Sequence, residues 1–240
     1  MKKSIILSFS VLFLSLMLSA QAAGNVRLPK LISDKMVLQR DVELDIWGWA
    51  DPGTWVTVRF NGSYYETRTG DDGRWTVTLP PQPAGGPYLM EVNEIAIRDV
   101  LVGDVWLCSG QSNQETPIPR LTEMFPEINL TDNNKIRHYK VPTQDSKEAL
   151  QEEIAGNAVW YSGVASEVMN WTALAYFYAL EAYNKTGVPQ GMLVSSLGGS
   201  EIESWISQEY LKDFPRLILD KEALAAQEEA SRDKGEGVWN

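Results

Sequence analysis

A serine that follows an apolar run and a glycine is placed to act as a nucleophile, and Ser112 stands in that setting. The stretch Val105-Trp106-Leu107-Cys108-Ser109-Gly110-Gln111-Ser112-Asn113 begins hydrophobic and ends polar, with Gly110 near the change. Leu101, Val102, Val105, Trp106, Leu107 and Cys108 predict a strand covered on both faces. Gly110 permits a backbone turn that a side chain would obstruct. The strand should therefore deliver Ser112 to the end of a sheet where ligands bind in α/β folds. The spacing departs from the nucleophile elbow G-x-S-x-G, because Gln114 stands where the last glycine belongs. A serine so placed also serves as an ordinary turn or helix cap. A second apolar strand, Met192-Leu193-Val194, runs into Ser195-Ser196-Leu197-Gly198-Gly199-Ser200. Together the two strand ends offer what acyl transfer needs: a hydroxyl, and backbone N–H groups that glycine lets approach a developing oxyanion. The plainer reading of Gly198-Gly199 is chain reversal after a strand.

Groups that handle protons or metals are scarce. His138 is the single histidine, and it lies within residues 135–141, which read as a strand, so a structural role is expected for it. Cys108 is the single cysteine; it reads as a small buried hydrophobe, and no internal disulfide can form. One cysteine and one histidine make no ordinary Cys/His zinc site, and no metal or cofactor is expected.

The elements that must hold these residues read in two parts. From about residue 27 to 98 the chain is β. Val42-Glu43-Leu44-Asp45-Ile46-Trp47 alternates, Trp55-Val56-Thr57-Val58-Arg59-Phe60 is β-branched and aromatic, and Asn61-Gly62 is a hairpin turn. Strands at 64–69, 75–79, 88–92 and 95–97 complete a small all-β sandwich over residues 23–99. Its tryptophans fill a core or form a sugar-stacking face, the core being the default. From residue 100 to 240 the reading is α/β. Pro117, Pro119 and Pro126 mark an irregular segment that could line a cleft, a helix at 172–184 ends at Gly187-Val188-Pro189, and residues 217–234 read as a polar surface helix.

The 240 residues, 44% of them hydrophobic with nine tryptophans, suffice for a substantial core. Met1-Lys2-Lys3, an apolar run from Ile5 to Leu18 and Ala20-Gln21-Ala22 have the layout of a secretory signal peptide over residues 1–22, cleaved after Ala22. The run is short for a spanning helix and is interrupted by Ser8, Ser10 and Ser15. An exported protein, periplasmic or secreted, is expected, with no membrane association after cleavage. A formal charge of −11 argues against nucleic acid and anionic membrane surfaces as partners.

Several blocks come in order along the chain. They are Leu28-Pro29, Met36-Val37-Leu38-Gln39-Arg40, Trp47-Gly48-Trp49-Ala50-Asp51-Pro52-Gly53, and Gly85-Gly86-Pro87-Tyr88. Then follow Val102-Gly103-Asp104 leading into Gly110-Gln111-Ser112-Asn113, Gly187-Val188-Pro189, and Gly198-Gly199-Ser200-Glu201-Ile202-Glu203-Ser204-Trp205. This series resembles bacterial sialate O-acetylesterases, within the SGNH hydrolase superfamily. The resemblance implies an α/β, SGNH-hydrolase-like three-layer domain, incomplete at its C-terminus and preceded by the β-sandwich. It implies hydrolysis of O-acetyl esters of sialic acid, an O-acetylated sugar being the partner. Ser112 would be the nucleophile, the N–H of Ser112 and of Gly198 or Gly199 the oxyanion donors, and Gln111 and Asn113 substrate-binding residues. The same residues suit an acetylxylan-type esterase, and a non-catalytic glycan-binding protein is the reading from another class. Two departures stand out. Gln114 replaces the family's usual methionine. The later Gln-Gly-Glu segment and the Asp-x-x-His pair that activates the serine are not met before Asn240, so the chain reads as the front portion of such an esterase.

Overall fold

The computed structural model describes residues 24–143, 153–154 and 156–214. The expected signal peptide and the expected helix at 217–234 lie outside the described residues. Short strands β1 (Val37–Gln39) and β2 (Leu44–Trp49) come first. The alternating run then forms β3 (Trp55–Phe60), whose Val56, Val58 and Phe60 are buried while Trp55 stays exposed. Each such apolar side chain contributes about 1.5–3 kcal/mol by leaving water. Asn61 and Gly62, both at positive φ (48° and 78°), turn the chain into β4 (Ser63–Arg68), as the Asn-Gly signal predicts. β5 (Arg74–Leu79) pairs with β2 in a separate two-stranded sheet and buries Trp75 in the core between them and the larger sheet.

The larger sheet has the order β4-β3-β6-β7-β10-β8-β9, where β6 is Gly85–Val92, β7 Ile95–Gly110, β8 Asp132–Lys140, β9 Trp160–Val164 and β10 Gln190–Ser196. β1 lies parallel beside β7 over Leu101–Gly103 only. β7, β10 and β8 are mutually parallel, and all three stop at one end: Gly110 is level with Ser196, and Lys140 with Val194. That common end carries the segments after Gly110 and after Ser196.

Two expectations change here. The sequence predicts one short strand at 95–97 and another from Leu101, but the structure joins them into a single 16-residue strand, and the expected boundary between residues 99 and 100 falls inside it. Asp99 allows this by taking φ +58° and setting its carboxylate 2.9 Å from the guanidinium of Arg137, whose side chain is 1% exposed. Arg137 also donates to Ser162 Oγ at 2.6 Å, so a buried cation pins the bend of β7 to β8 and β9.

The run 101–108 is also not covered on both faces. Leu101 and Val102 are fully buried, yet Trp106 is 40% and Leu107 73% exposed. Beyond Gly103, β7 has lost β1 and keeps β10 as its one strand partner among the described residues. Helix α2 (Ala173–Thr186; the preceding turn, α1, is Ser112–Glu115) covers one face of the parallel strands. There Cys108, Met192 and Val194 pack with Ala175, Tyr176 and Ala179, and Tyr178 meets Trp106 edge-on at 5.0 Å. Among the described residues no helix covers Leu107 on the other face, so of the expected three layers the sheet and one helical layer are seen. α2 ends where the sequence predicts, at Gly187 (φ +69°). The proline-marked segment forms two 3₁₀ turns that bury Ile118 and Ile128 against the α2 side. The last described helix, α3, is Gln208–Leu211.

Candidate active site

β7 delivers Ser112 as the local sequence predicts. Gly110 takes φ +146°, a conformation costly to any residue with a Cβ, and the chain then enters α1. Glu115 N–H donates to Gln111 O at 3.1 Å and Thr116 Oγ1 to Ser112 O at 3.1 Å, which closes the turn. Gln111, Ser112 and Asn113 are all exposed, and Ser112 Oγ lies 3.3 Å from Gln111 Oε1.

The loop after β10 comes to the same place. Leu197 N–H donates to Gly110 O at 3.1 Å, and Gln111 Nε2 to Ser200 O at 3.4 Å. A Cβ built on Gly198 would stand 3.7 Å from Ser112 Oγ, so Ser112 and the glycine pair are brought together. The two glycines differ. Gly199 has φ +80° and open space around it, while Gly198 is needed for closeness. The Gly198 N–H donates to Glu115 Oε2 at 2.7 Å, so a carboxylate already holds one of the two glycine N–H groups between which the expectation left the oxyanion donor open. The N–H groups of Ser112 and Gly199 have no hydrogen-bond partner among the described residues.

Glu115 and Lys140 are members of this site that the sequence reading did not single out. Lys140 Nζ sits 3.1 Å from Glu115 Oε1. Partial burial raises the Glu115 pKa, but the Gly198 N–H and the Lys140 ammonium outweigh it and hold the carboxyl below the ordinary glutamate value. The local signal was Glu115 three residues after Ser112 on the same short turn; its partners, 25 and 83 residues away, left none.

Gln114, the departure noted in the sequence, is 8% exposed, and its Nε2 has no partner among the described residues. An unpaired buried amide costs about 1–3 kcal/mol. Gln114→Met is therefore expected to raise stability by about 1 kcal/mol, read as a higher urea midpoint at unchanged slope.

His138 is structural. It is 0% exposed, stacks on Trp171 at 5.0 Å, and accepts the Thr172 N–H at Nε2 over 3.4 Å. Burial, with a smaller push from Lys140, lowers its pKa to about 3. The sign of the consequence follows directly. The unfolded chain protonates this histidine near pH 6.5, and the folded one refuses the proton until about 3, so stability is full above the first value and falls toward the second. We expect a loss of about 1.4 kcal/mol per pH unit in that window. Denaturation midpoints measured against pH should show it, and His138→Phe should flatten the slope. Glu115 adds to the loss only below its ordinary value. Glu167 does likewise: burial raises its pKa, but Lys35, the Ser162 N–H and Arg137 together lower it further.

Beside the Gly198 loop is a cleft of about 310 Å³ lined by Val141, Thr143, Glu153, Ser195, Leu197 and Trp205, among others. Trp205 is steadied by its indole N–H donating to Ser200 Oγ at 2.9 Å. Apolar walls, a ring, a carboxylate and hydroxyls suit a hydroxylated ligand.

Comparison with known proteins gives the arrangement a context. No protein-family model matches the chain. Curated sialate O-acetylesterases of Homo sapiens and Pongo abelii are each 28% identical to it over 224 residues, covering 84% of this chain and 43% of theirs. That of Mus musculus is 29% identical over 226 residues, covering 85% and 42%. A carbohydrate acetylesterase from Xanthomonas citri, known from its crystal structure, superimposes with a TM-score of 0.74 at 36% identity, covering 78% of this chain and 44% of that one. These relatives are carbohydrate esterases. The chain spans less than half the length of each.

Proposed function

We propose that the protein is an exported carbohydrate esterase that removes O-acetyl groups from sugars, sialic acid first among them, by nucleophilic attack of Ser112. The observation that carries this reading is the exposed Ser112 Oγ set against the glycine pair at the shared end of β7 and β10. In the proposed reaction Oγ adds to the acetyl carbonyl, and the oxygen takes up negative charge beside the N–H groups of Ser112 and the glycine loop. The sugar hydroxyl then leaves, and water releases acetate from the acetyl-serine. The proton from Oγ needs an acceptor. His138 is sealed in the core, and among the described residues no imidazole or carboxylate is bonded to Ser112. That observation favours one second reading, a glycan-binding protein with a vestigial cleft.

The deciding experiment offers the purified chain an O-acetylated sialoside and acetylated xylan in parallel and measures acetate. Ser112-dependent release from the sialoside supports the full proposal; release from xylan alone keeps the esterase and replaces the sugar. Saturable glycan binding with no release, unchanged by Ser112→Ala, supports the binding protein instead.

A further inference from the structure

Glu115 ties three strand ends together at the nucleophile. It belongs to the turn that β7 feeds, its Oε2 accepts the Gly198 N–H after β10, and its Oε1 meets Lys140, the last residue of β8. The peptide it grips lies against Ser112, since a Cβ on Gly198 would approach Glu115 Oε2 to 3.1 Å and Ser112 Oγ to 3.7 Å. One N–H cannot serve a carboxylate and an oxyanion together, because two anions converging on one donor repel. For the oxyanion to displace Glu115, it would have to break the charge-assisted bond to Gly198 and leave the carboxylate of the Lys140 pair without it. Gly199, with φ +80° and a free N–H among the described residues, has no such competitor.

We infer that Glu115 is a positioning residue of the oxyanion loop: it fixes Gly198 through its N–H, leaving the N–H groups of Gly199 and Ser112 to receive the oxyanion, while Lys140 offsets its charge. This rests on the esterase reading above. Among the described residues Lys140 of β8 is the one charge acting on Glu115; β7, β10 and α2, against which the turn packs, add none. The ionised form is the one that grips, so protonation should loosen the loop.

The test combines two readouts on the full chain. One follows the Gly198 and Gly199 amide signals by ¹⁵N NMR across acidic pH. The other measures phosphonylation of Ser112 by a p-nitrophenyl phosphonate, whose phosphoryl oxygen needs the same donors. The Gly198 signal should move as Glu115 titrates and lose that dependence in Glu115→Gln. Phosphonylation should slow about tenfold in Glu115→Gln and about 100-fold in Glu115→Ala, the scale of a misplaced or lost oxyanion donor. Its acidic limb should coincide with the Gly198 titration and vanish in Glu115→Gln. Lys140→Met, which keeps the grip on Gly198 but exposes the charge, should leave that amide signal in place and still slow the reaction several-fold. A Gly198 amide indifferent to Glu115, or wild-type phosphonylation in Glu115→Ala, overturns the inference. If Ser112 of the wild type does not react at all, the esterase reading falls and takes the inference with it.

Discussion

Ser112→Ala should abolish acetate release, by at least about 10³-fold, while leaving the fold and its stability unchanged. Both halves of this expectation come from the same geometry. Ser112 is exposed, and among the described residues its Oγ has one side-chain hydrogen-bond partner, Gln111 Oε1 at 3.3 Å, so its removal opens no buried cavity. The turn is closed by backbone groups and by Thr116 Oγ1, none of which the substitution touches. On the proposed mechanism chemistry is the only thing lost, since without the hydroxyl no acetyl-serine can form. Acetate assays beside a thermal melt would check both halves. An unfolded variant, or one that retains release, would contradict the role given to Ser112.

Among substitutions, the largest stability effect at neutral pH is expected at Asp99. Its carboxylate is 41% exposed, but the Arg137 side chain it faces is 1% exposed and has Ser162 as its other close partner. Asp99→Ala leaves a guanidinium in the core with its charge poorly matched, and removing one partner of a buried pair costs about 3–5 kcal/mol. We expect about 3 kcal/mol here, because water reaches the carboxylate side and Glu167 also feels the Arg137 charge. Asp99→Asn keeps an acceptor and should cost about 1 kcal/mol. Urea unfolding of the two variants would separate the loss of charge from the loss of the hydrogen bond. Equal costs for both would mean that the carboxylate's charge is not what holds Arg137.

What the sequence made legible was local. The hairpin joining β3 and β4 follows from Asn61-Gly62 between alternating strands, the end of α2 from Gly187, and the exposed setting of Ser112 from an apolar run broken by Gly110. What it hid depends on residues far apart. Asp99 reads as a break because its polarity is visible, while the arginine that accommodates it comes 38 residues later. β1 and β9, of three and five residues, are too short to show a period. Leu107 looks like core because apolarity does not say which neighbour is present to cover it. The grip of Glu115 on Gly198 joins two turns whose proximity is fixed only when β10 settles beside β7.

The continuity of β7 bears on how this protein can be dissected. A cut at residue 99 or 100 would not pass through a linker. It would sever a strand at its bend, strip the half that leads to Ser112 of its β6 partners, and separate Asp99 from Arg137 or leave it on a frayed end. Val37–Gln39, which flanks β7 just before its exposed stretch, would go with the other fragment. Ser112 therefore sits at the tip of a rod whose far end is anchored in the N-terminal sheet. Fragments intended to isolate the chemistry should begin upstream of β1.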